Sequence, residues 1–308
     1  MTRVEQFEEH RRLLFSIAYR LLGSVGEAED AVQETWLRWD ASGVEPASPR
    51  AYLSTIVTRV ALDVLRSARV RREQYPGPWF PEPLLEDPYE EPERAAELAD
   101  SLSTAALLLL ERLSPLERAV FVLHDVFGFG FDDVADTVGR TEAACRQLAS
   151  RARRHMAEGR PRFEADRHAS AALAARFFDA LRLGDVDALR EVLAADVQMV
   201  ADGGGKGVLF GKGRFYGLDA VARVLAAMVE LFGAVGGTFR VEEINGGPGA
   251  VLTDAAGRVG GAISLEIADG QIQAIRSVTN PDKLGHLGPV LEDGQAYLHE
   301  AMRRRREG

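Results

Sequence analysis

The sequence predicts a multidomain chain: two all-α blocks, the second carrying a helix-turn-helix, followed by a C-terminal α+β domain. Three observations carry that reading. Apolar residues recur at spacings of three and four through residues 1–75 and again from about Arg94 to Arg160. Between these blocks six prolines fall from Tyr75 to Pro92, with acidic residues in excess, which no regular element tolerates. After about Arg167 two helical patterns give way to short alternating runs separated by Gly and Asp turns, the order expected of an α+β domain. The boundaries expected are 1–75, an acidic Pro-rich linker at 76–93, 94–160, 167–287 and a tail at 288–308.

Composition narrows the class. At 46% apolar and 27% charged residues the chain is built for packed cores, and its net charge is −10. No apolar run approaches the ~20 residues of a membrane span, and the N-terminus lacks the apolar core of a secretory signal. A cytoplasmic protein without a membrane partner is expected. The single cysteine, Cys145, excludes an internal disulfide and reads as a small buried residue; no Cys/His spacing fits zinc, so neither metal nor cofactor is expected.

In the first block, "GSVGEAEDAVQETWLRWD" opens with Ser24 and Glu27 spaced as a capping box. Ala28, Val32, Thr35, Trp36 and Trp39 then form a core stripe, and Asp30, Gln33, Glu34 and Leu37 a second, exposed one. That second stripe reads either as a solvated face or as a surface for a basic and apolar partner. Ser48 and Pro49 begin the next helix as N-cap and first position. Leu53, Ile56, Val57, Val60 and Val64 face the core; Thr55, Arg59, Leu62, Arg66 and Arg69 form an opposite ridge with Asp63 beside it. The helix macrodipole accounts for arginines at the helix end but not for Arg59. A ridge of this chemistry suits single-stranded bases and phosphates.

In the second block Ser114 and Glu117 repeat the capping box, and Gly139 stops the short helix "FDDVADTV". Thr141 then caps a new helix after a short turn, which defines a helix-turn-helix. Residues 141–156 carry four arginines against one glutamate in an acidic chain. Cys145, Leu148, Ala149, Ala152 and Met156 face inward, leaving Arg146, Gln147, Ser150, Arg153 and Arg154 outside. Arginine reads guanine bidentately, glutamine reads adenine, and the remaining arginines hold phosphates, so this face suits a major groove. The other reading is a basic surface helix without a DNA role.

These segments together, in order and spacing, resemble the extracytoplasmic-function sigma factors of bacterial RNA polymerase. The resemblance implies a first block that binds core RNA polymerase and the −10 promoter element, and a second that reads the −35 element. It puts Asp30, Gln33, Glu34 and Leu37 on the polymerase-docking helix. Arg59, Asp63, Arg66 and the basic end at Arg69 fall in the −10 region, and Thr141, Arg146, Gln147, Ser150, Arg153 and Arg154 meet −35 promoter DNA. The loop "DASGVEPAS" lies where the family captures a flipped base.

About 140 further residues follow, and they resemble a SnoaL-like, NTF2-like domain: a curved antiparallel sheet wrapped by helices around a pocket. A subgroup of these sigma factors carries such a fused domain. Its hallmarks appear as "DGGGK" (Asp202 to Lys206), "NPDKL" (Asn280 to Leu284) and "WFPEP" (Trp79 to Pro83), the last with Phe80 where leucine is usual. The resemblance marks Trp79, Pro81, Asp202, Lys206, Asn280, Pro281, Asp282, Lys283 and Leu284 as regulatory interdomain positions, with Pro281 ending strand pairing and freeing the residues after it. The glycine run is not a P-loop, since neither lysine is followed by Ser or Thr. Asp202 has no partner base beside it in sequence, so no catalytic residue is assigned. The expected function is a sigma factor modulated by its own SnoaL-like domain. The rival is a SnoaL-like enzyme or small-molecule sensor on a DNA-binding module, with a small ligand in the C-terminal pocket.

Overall fold

In the computed structural model, residues 2–89, 91, 98, 101–159, 167–206 and 213–307 are described. They divide into two compact units: residues 1–74 with 86–160, and residues 75–85 with 161–308.

The helical unit begins with α1 (Arg3–Leu22), α2 (Val25–Ser42) and α3 (Pro49–Glu73). Thr2 and Glu5 make a complete capping box at α1, and Ser24 accepts the Glu27 amide at α2. Leu14, Ile17, Tyr19, Val32, Trp39, Leu53 and Val57 form the core. The second block contributes α4 (Thr104–Leu110), α5 (Pro115–Val120) running into a π-helical turn at Phe121–Val126, α6 (Phe131–Val138) and α7 (Glu142–Gly159). Ser114 and Glu117 form the expected capping box, and Gly139 takes φ +66°, the left-handed cap that ends α6.

The two helical blocks pack on one another. Arg118 donates to the Leu21 carbonyl at 2.7 Å, and Arg50 donates to the Phe127 carbonyl at 3.2 Å with its guanidinium 4.4 Å from the Phe129 ring centre. This packing corrects part of the α3 ridge. Leu62 is only 4% exposed and Thr55 is half-buried, its hydroxyl meeting that of Thr137 on α6, which packs on α3.

In the C-terminal unit α8 (Arg167–Leu183) and α9 (Val186–Val192) lead directly into β1 (Leu193–Asp202). β2 (Arg214–Tyr216), α10 (Leu218–Ala234), β3 (Thr238–Ile244), β4 (Gly247–Thr253), β5 (Val259–Ala268) and β6 (Gln271–Val278) follow, and α11 (Gly294–Glu307) closes the chain. The sheet order is β2-β1-β6-β5-β4-β3. It is mixed rather than wholly antiparallel: β1 pairs with β6 in parallel, with Asp202 opposite Val278. After β2, helix α10 carries the chain across to the far edge, and the meander β3 to β6 returns to lie beside β1. Phe177, Phe178, Val221, Leu225, Phe232, Ile263 and Ile275 fill the core between helices and sheet. The tail segment forms α11 and packs on α10, the Tyr297 and Phe232 rings lying 6.0 Å apart.

Candidate nucleic-acid and polymerase interfaces

The second helix of the helix-turn-helix is set by its ends and its inner face. Thr141 accepts the Ala144 amide at 3.2 Å as N-cap. Cys145, Ala149 and Ala152 are fully buried against the preceding helices, and burial raises the Cys145 thiol above its ordinary pKa. Ala143, Arg146, Gln147, Ser150, Arg153 and Arg154 are all exposed. The arginines are not equivalent. Arg146 pairs with Glu142 at 2.5 Å and lies over the Phe131 ring, and Arg153 pairs with Asp125 at 2.5 Å. Arg154 has no ion-pair partner among the described residues, and Arg151 is held by Glu117 at 3.0 Å. The capping glutamate of α5 thus also steadies α7.

On α3 the structure separates the candidate −10 residues. Arg59 donates through Nε to the Thr137 carbonyl at 3.0 Å and through Nη2 to the Asp136 carbonyl at 2.6 Å, covering the last-turn carbonyls of α6. The Thr55 and Thr137 hydroxyls meet at 2.8 Å. Asp63 and Arg66 pair with each other at 3.1 Å on the exposed surface, and the side chain of Arg69 lies outside the described residues. Both groups of promoter-reading candidates, on α3 and on the helix-turn-helix, are therefore tied into one unit, with Arg59 engaged.

The α2 stripe is open. Asp30, Gln33 and Leu37 are exposed, Leu37 at 54%, while Glu34 is half-buried and bonded to Arg38 at 2.7 Å. Gln33 also borders a groove of about 410 Å³ between α1 and α2, floored by Phe7, Val32 and half-buried Trp36 and edged by the exposed Arg11–Glu29 pair.

In the C-terminal unit the linker segment 75–85 is held by the glycine-rich and post-strand motifs. Asp202 is fully buried and accepts from Tyr75 Oη at 2.5 Å, Phe80 N at 2.8 Å, Gly204 N at 3.1 Å and Lys283 Nζ at 2.7 Å. Lys283, 7% exposed, also donates to the Phe80 carbonyl and sits 4.3 Å from the Trp79 ring centre. Asn280 donates to Tyr75 Oη at 2.9 Å and caps the 3₁₀ turn at Pro281–Lys283. Burial, with the Asp202 carboxylate behind it, pushes the Tyr75 phenol far above its ordinary pKa. Pro81 and Leu284 are buried, while Lys206 and Asp282 pair at 2.6 Å on the exposed side. Asp202 and Lys283 form an interior ion pair, and both also bond to Phe80 of the linker segment. Farther along, His286 contacts the Pro83 carbonyl at 2.6 Å, and Asn245 and Leu84 exchange backbone and side-chain bonds.

Two anchors, Tyr75 and Arg20, escaped the sequence reading. Tyr75 stands at the junction of helix and proline run with nothing local to mark it. Arg20 had a signal: a lone arginine in the apolar run "LLFSIAYRLL". It is 1% exposed and binds Asp87 at 2.8 Å, with Ser101 Oγ and the Leu98 carbonyl completing its shell. Ser16 also donates to Asp87.

A three-helix block with an exposed acidic stripe, joined to a helix-turn-helix with a basic outer face, defines a promoter-recognition subunit of the sigma-70 class. The family models agree: Sigma-70 region 2 matches residues 6–71 and Sigma-70 region 4 matches residues 103–156. The chain belongs to the extracytoplasmic-function RNA polymerase sigma factors and directs promoter-specific transcription initiation. It is 38% identical over 289 residues to the ECF RNA polymerase sigma factor SigJ of Mycobacterium tuberculosis, covering 91% of this chain and 92% of that one. It is 33% identical over 288 residues to the probable sigma factor SigI of the same species, covering 92% and 96%. The crystal structure of M. tuberculosis SigJ superimposes with a TM-score of 0.70 at 37% identity, covering 91% of this chain and 98% of that chain. Among the described residues, no helix is long and apolar enough to cross a membrane.

Proposed function

We propose that the chain binds core RNA polymerase through the α2 stripe, reads the −35 element with the outer face of α7, and acts in the cytoplasm without catalysing a covalent step. The observation that carries this is the exposed set Arg146, Gln147, Ser150, Arg153 and Arg154 on a helix whose opposite face is core. Arg146 and Gln147 contact base edges; Arg153, Arg154, Ser150 and Thr141 position the phosphates. Arg146 exchanges its exposed partner Glu142 for DNA, a small cost because such pairs contribute little in water, whereas Arg153 leaves Asp125, which is 19% exposed.

Arg59, Asp63, Arg66 and Arg69 serve the −10 element. Arg59 reaches it only after leaving the α6 carbonyls, so the form described here is closed with respect to −10 reading. The C-terminal domain regulates this activity by sequestering the linker: with Tyr75–Leu85 fastened through Asp202 and Lys283, the segment is withheld from polymerase until it is released. An enzymatic role for Asp202 is disfavoured, because its carboxylate oxygens are already taken by four donors. Run-off transcription with purified core polymerase on candidate promoters tests the reading. Promoter-dependent transcripts that vanish without the protein are expected. Failure to bind core polymerase, or transcripts indifferent to Arg146 and Gln147 substitution, would refute the assignment.

A further inference from the structure

Strand β3 ends the sheet order, so among the described residues β4 is its one strand neighbour and its other flank is an edge. The hairpin joining the two strands decides which backbone groups that edge offers. Ile244 lies opposite Gly247 across Asn245 and Gly246, whose φ values of 54° and 68° make the two-residue type I′ turn. The pair flanking such a turn exchanges both backbone bonds, and bonded pairs alternate along an antiparallel ladder. Thr238, Arg240, Glu242 and Ile244 therefore bond to β4, and the N–H and C=O groups of Phe239, Val241 and Glu243 point outward. Val241 is 46% exposed, and Glu243 is exposed two residues on.

An edge of this kind is a template for another strand, and charged side chains are the usual guard against it. Here the charges discriminate rather than merely repel. Arg240 and Glu242 share one face and meet along the strand at 2.6 Å, with side chains 61% and 38% exposed, a pair weak enough in water to be exchanged. Set against a reversed copy of itself centred on Val241, the strand puts Arg240 opposite Glu242 of the second copy and Glu242 opposite its Arg240. Val241 meets Val241, Phe239 meets Glu243, and outward backbone groups meet outward backbone groups. Sliding by two residues, the smallest step that keeps every side chain on its face, brings Arg240 against Arg240 or Glu242 against Glu242. A foreign strand would have to offer a base, an apolar residue and an acid in that same order.

We infer that β3 is a self-association edge: two copies of the chain pair their β3 strands antiparallel about Val241 and join their sheets into one. The contact goes beyond promoter reading and is tested without polymerase or DNA, so its fate is separable from that of those assignments.

The experiment is sedimentation equilibrium of the full-length protein. The average mass should rise from one chain toward two between about 1 and 100 µM, the range of a small, weak interface. Arg240→Glu sets like charges opposite one another at both ends of the pairing and should weaken association about tenfold or more. Combining Arg240→Glu with Glu242→Arg restores the opposition in reverse and should bring the dimer back. Disulfide trapping reads the register. Val241→Cys should cross-link on oxidation, because its Cα would lie about 5.5 Å from that of its counterpart. Glu243→Cys should not, its counterpart lying roughly 14 Å away; the chain's own Cys145 is buried and serves neither reaction. A protein that stays monomeric at about 100 µM, an Arg240→Glu variant that associates like the parent, a double exchange that fails to recover, or equal cross-linking at positions 241 and 243 would overturn the proposal.

Discussion

Lys283→Met tests whether the linker is fastened by a buried ion pair. The substitution keeps the length of the stem and removes the charge that faces Asp202 at 2.7 Å, with the two side chains 8% and 0% exposed. Stripping one partner from a buried pair costs about 3–5 kcal/mol. Asp202 would still accept from Tyr75, Phe80 and Gly204, so the lower end, about 3 kcal/mol, applies. The Phe80 amide, which donates to Asp202 at 2.8 Å, is the reporter. Its hydrogen exchange, measured where reclosing outpaces exchange, should quicken by roughly two orders of magnitude, since each 1.4 kcal/mol is about tenfold. Lys206→Met removes only the exposed pair to Asp282, 58% and 61% exposed, and should change the same amide less than about fivefold. Adding Asp202→Asn to Lys283→Met removes the stranded charge and should recover much of the lost protection. Exchange at Phe80 within about threefold of the parent in Lys283→Met, or an equal effect of Lys206→Met, would refute the interior pair as the fastening.

Arg146→Ala should weaken promoter binding by about 1–3 kcal/mol and relax preference at one −35 base, whereas Arg154→Ala should weaken all sequences alike and flatten the salt dependence, both measured by binding titrations across salt. Asp87→Ser strands Arg20, 1% exposed, and should destabilise the helical unit by about 3 kcal/mol in urea titration, while Glu86→Ser on the surface should not. Cysteines at Thr55 and Thr137, whose hydroxyls now touch, should lock α3 to α6; run-off transcription should fall in the oxidised protein and return on reduction, and full activity while oxidised would count against a closed form. Burial raises the Glu117 carboxyl pKa, but bonds from Ser114 and Arg151 outweigh it and hold it below its ordinary 4.5. Its contribution is therefore present above that value and lost as pH falls through the lower folded one, so acid melting curves should be flatter for Glu117→Gln.

Local signals were the legible ones. Ser114 with Glu117, Gly139, Thr141 and the outward face of α7 were readable because each depends on residues three or four apart. The α3 ridge was half-readable: periodicity separates two faces of a helix but does not say that Leu62 is buried or that α6 reaches Thr55. β1 was hidden because α9 enters it without turn residues, and β4 begins "GPG", the composition of a loop. The Asp202–Lys283 pair spans 81 residues, so no spacing rule reaches it; only the parallel register of β1 on β6 brings the two motifs to one end of the sheet.

That separation also sets an order of events during synthesis. Phe80 leaves the ribosome 203 residues ahead of Lys283, whose ammonium holds its carbonyl. At about 5–20 residues per second the interval is roughly 10–40 s. Helices of the sigma unit, which is built from residues 1–74 and 86–160, can form inside that interval. Each newly made chain therefore passes through a stage in which its helical unit can be formed and its Tyr75–Leu85 segment is not yet fastened.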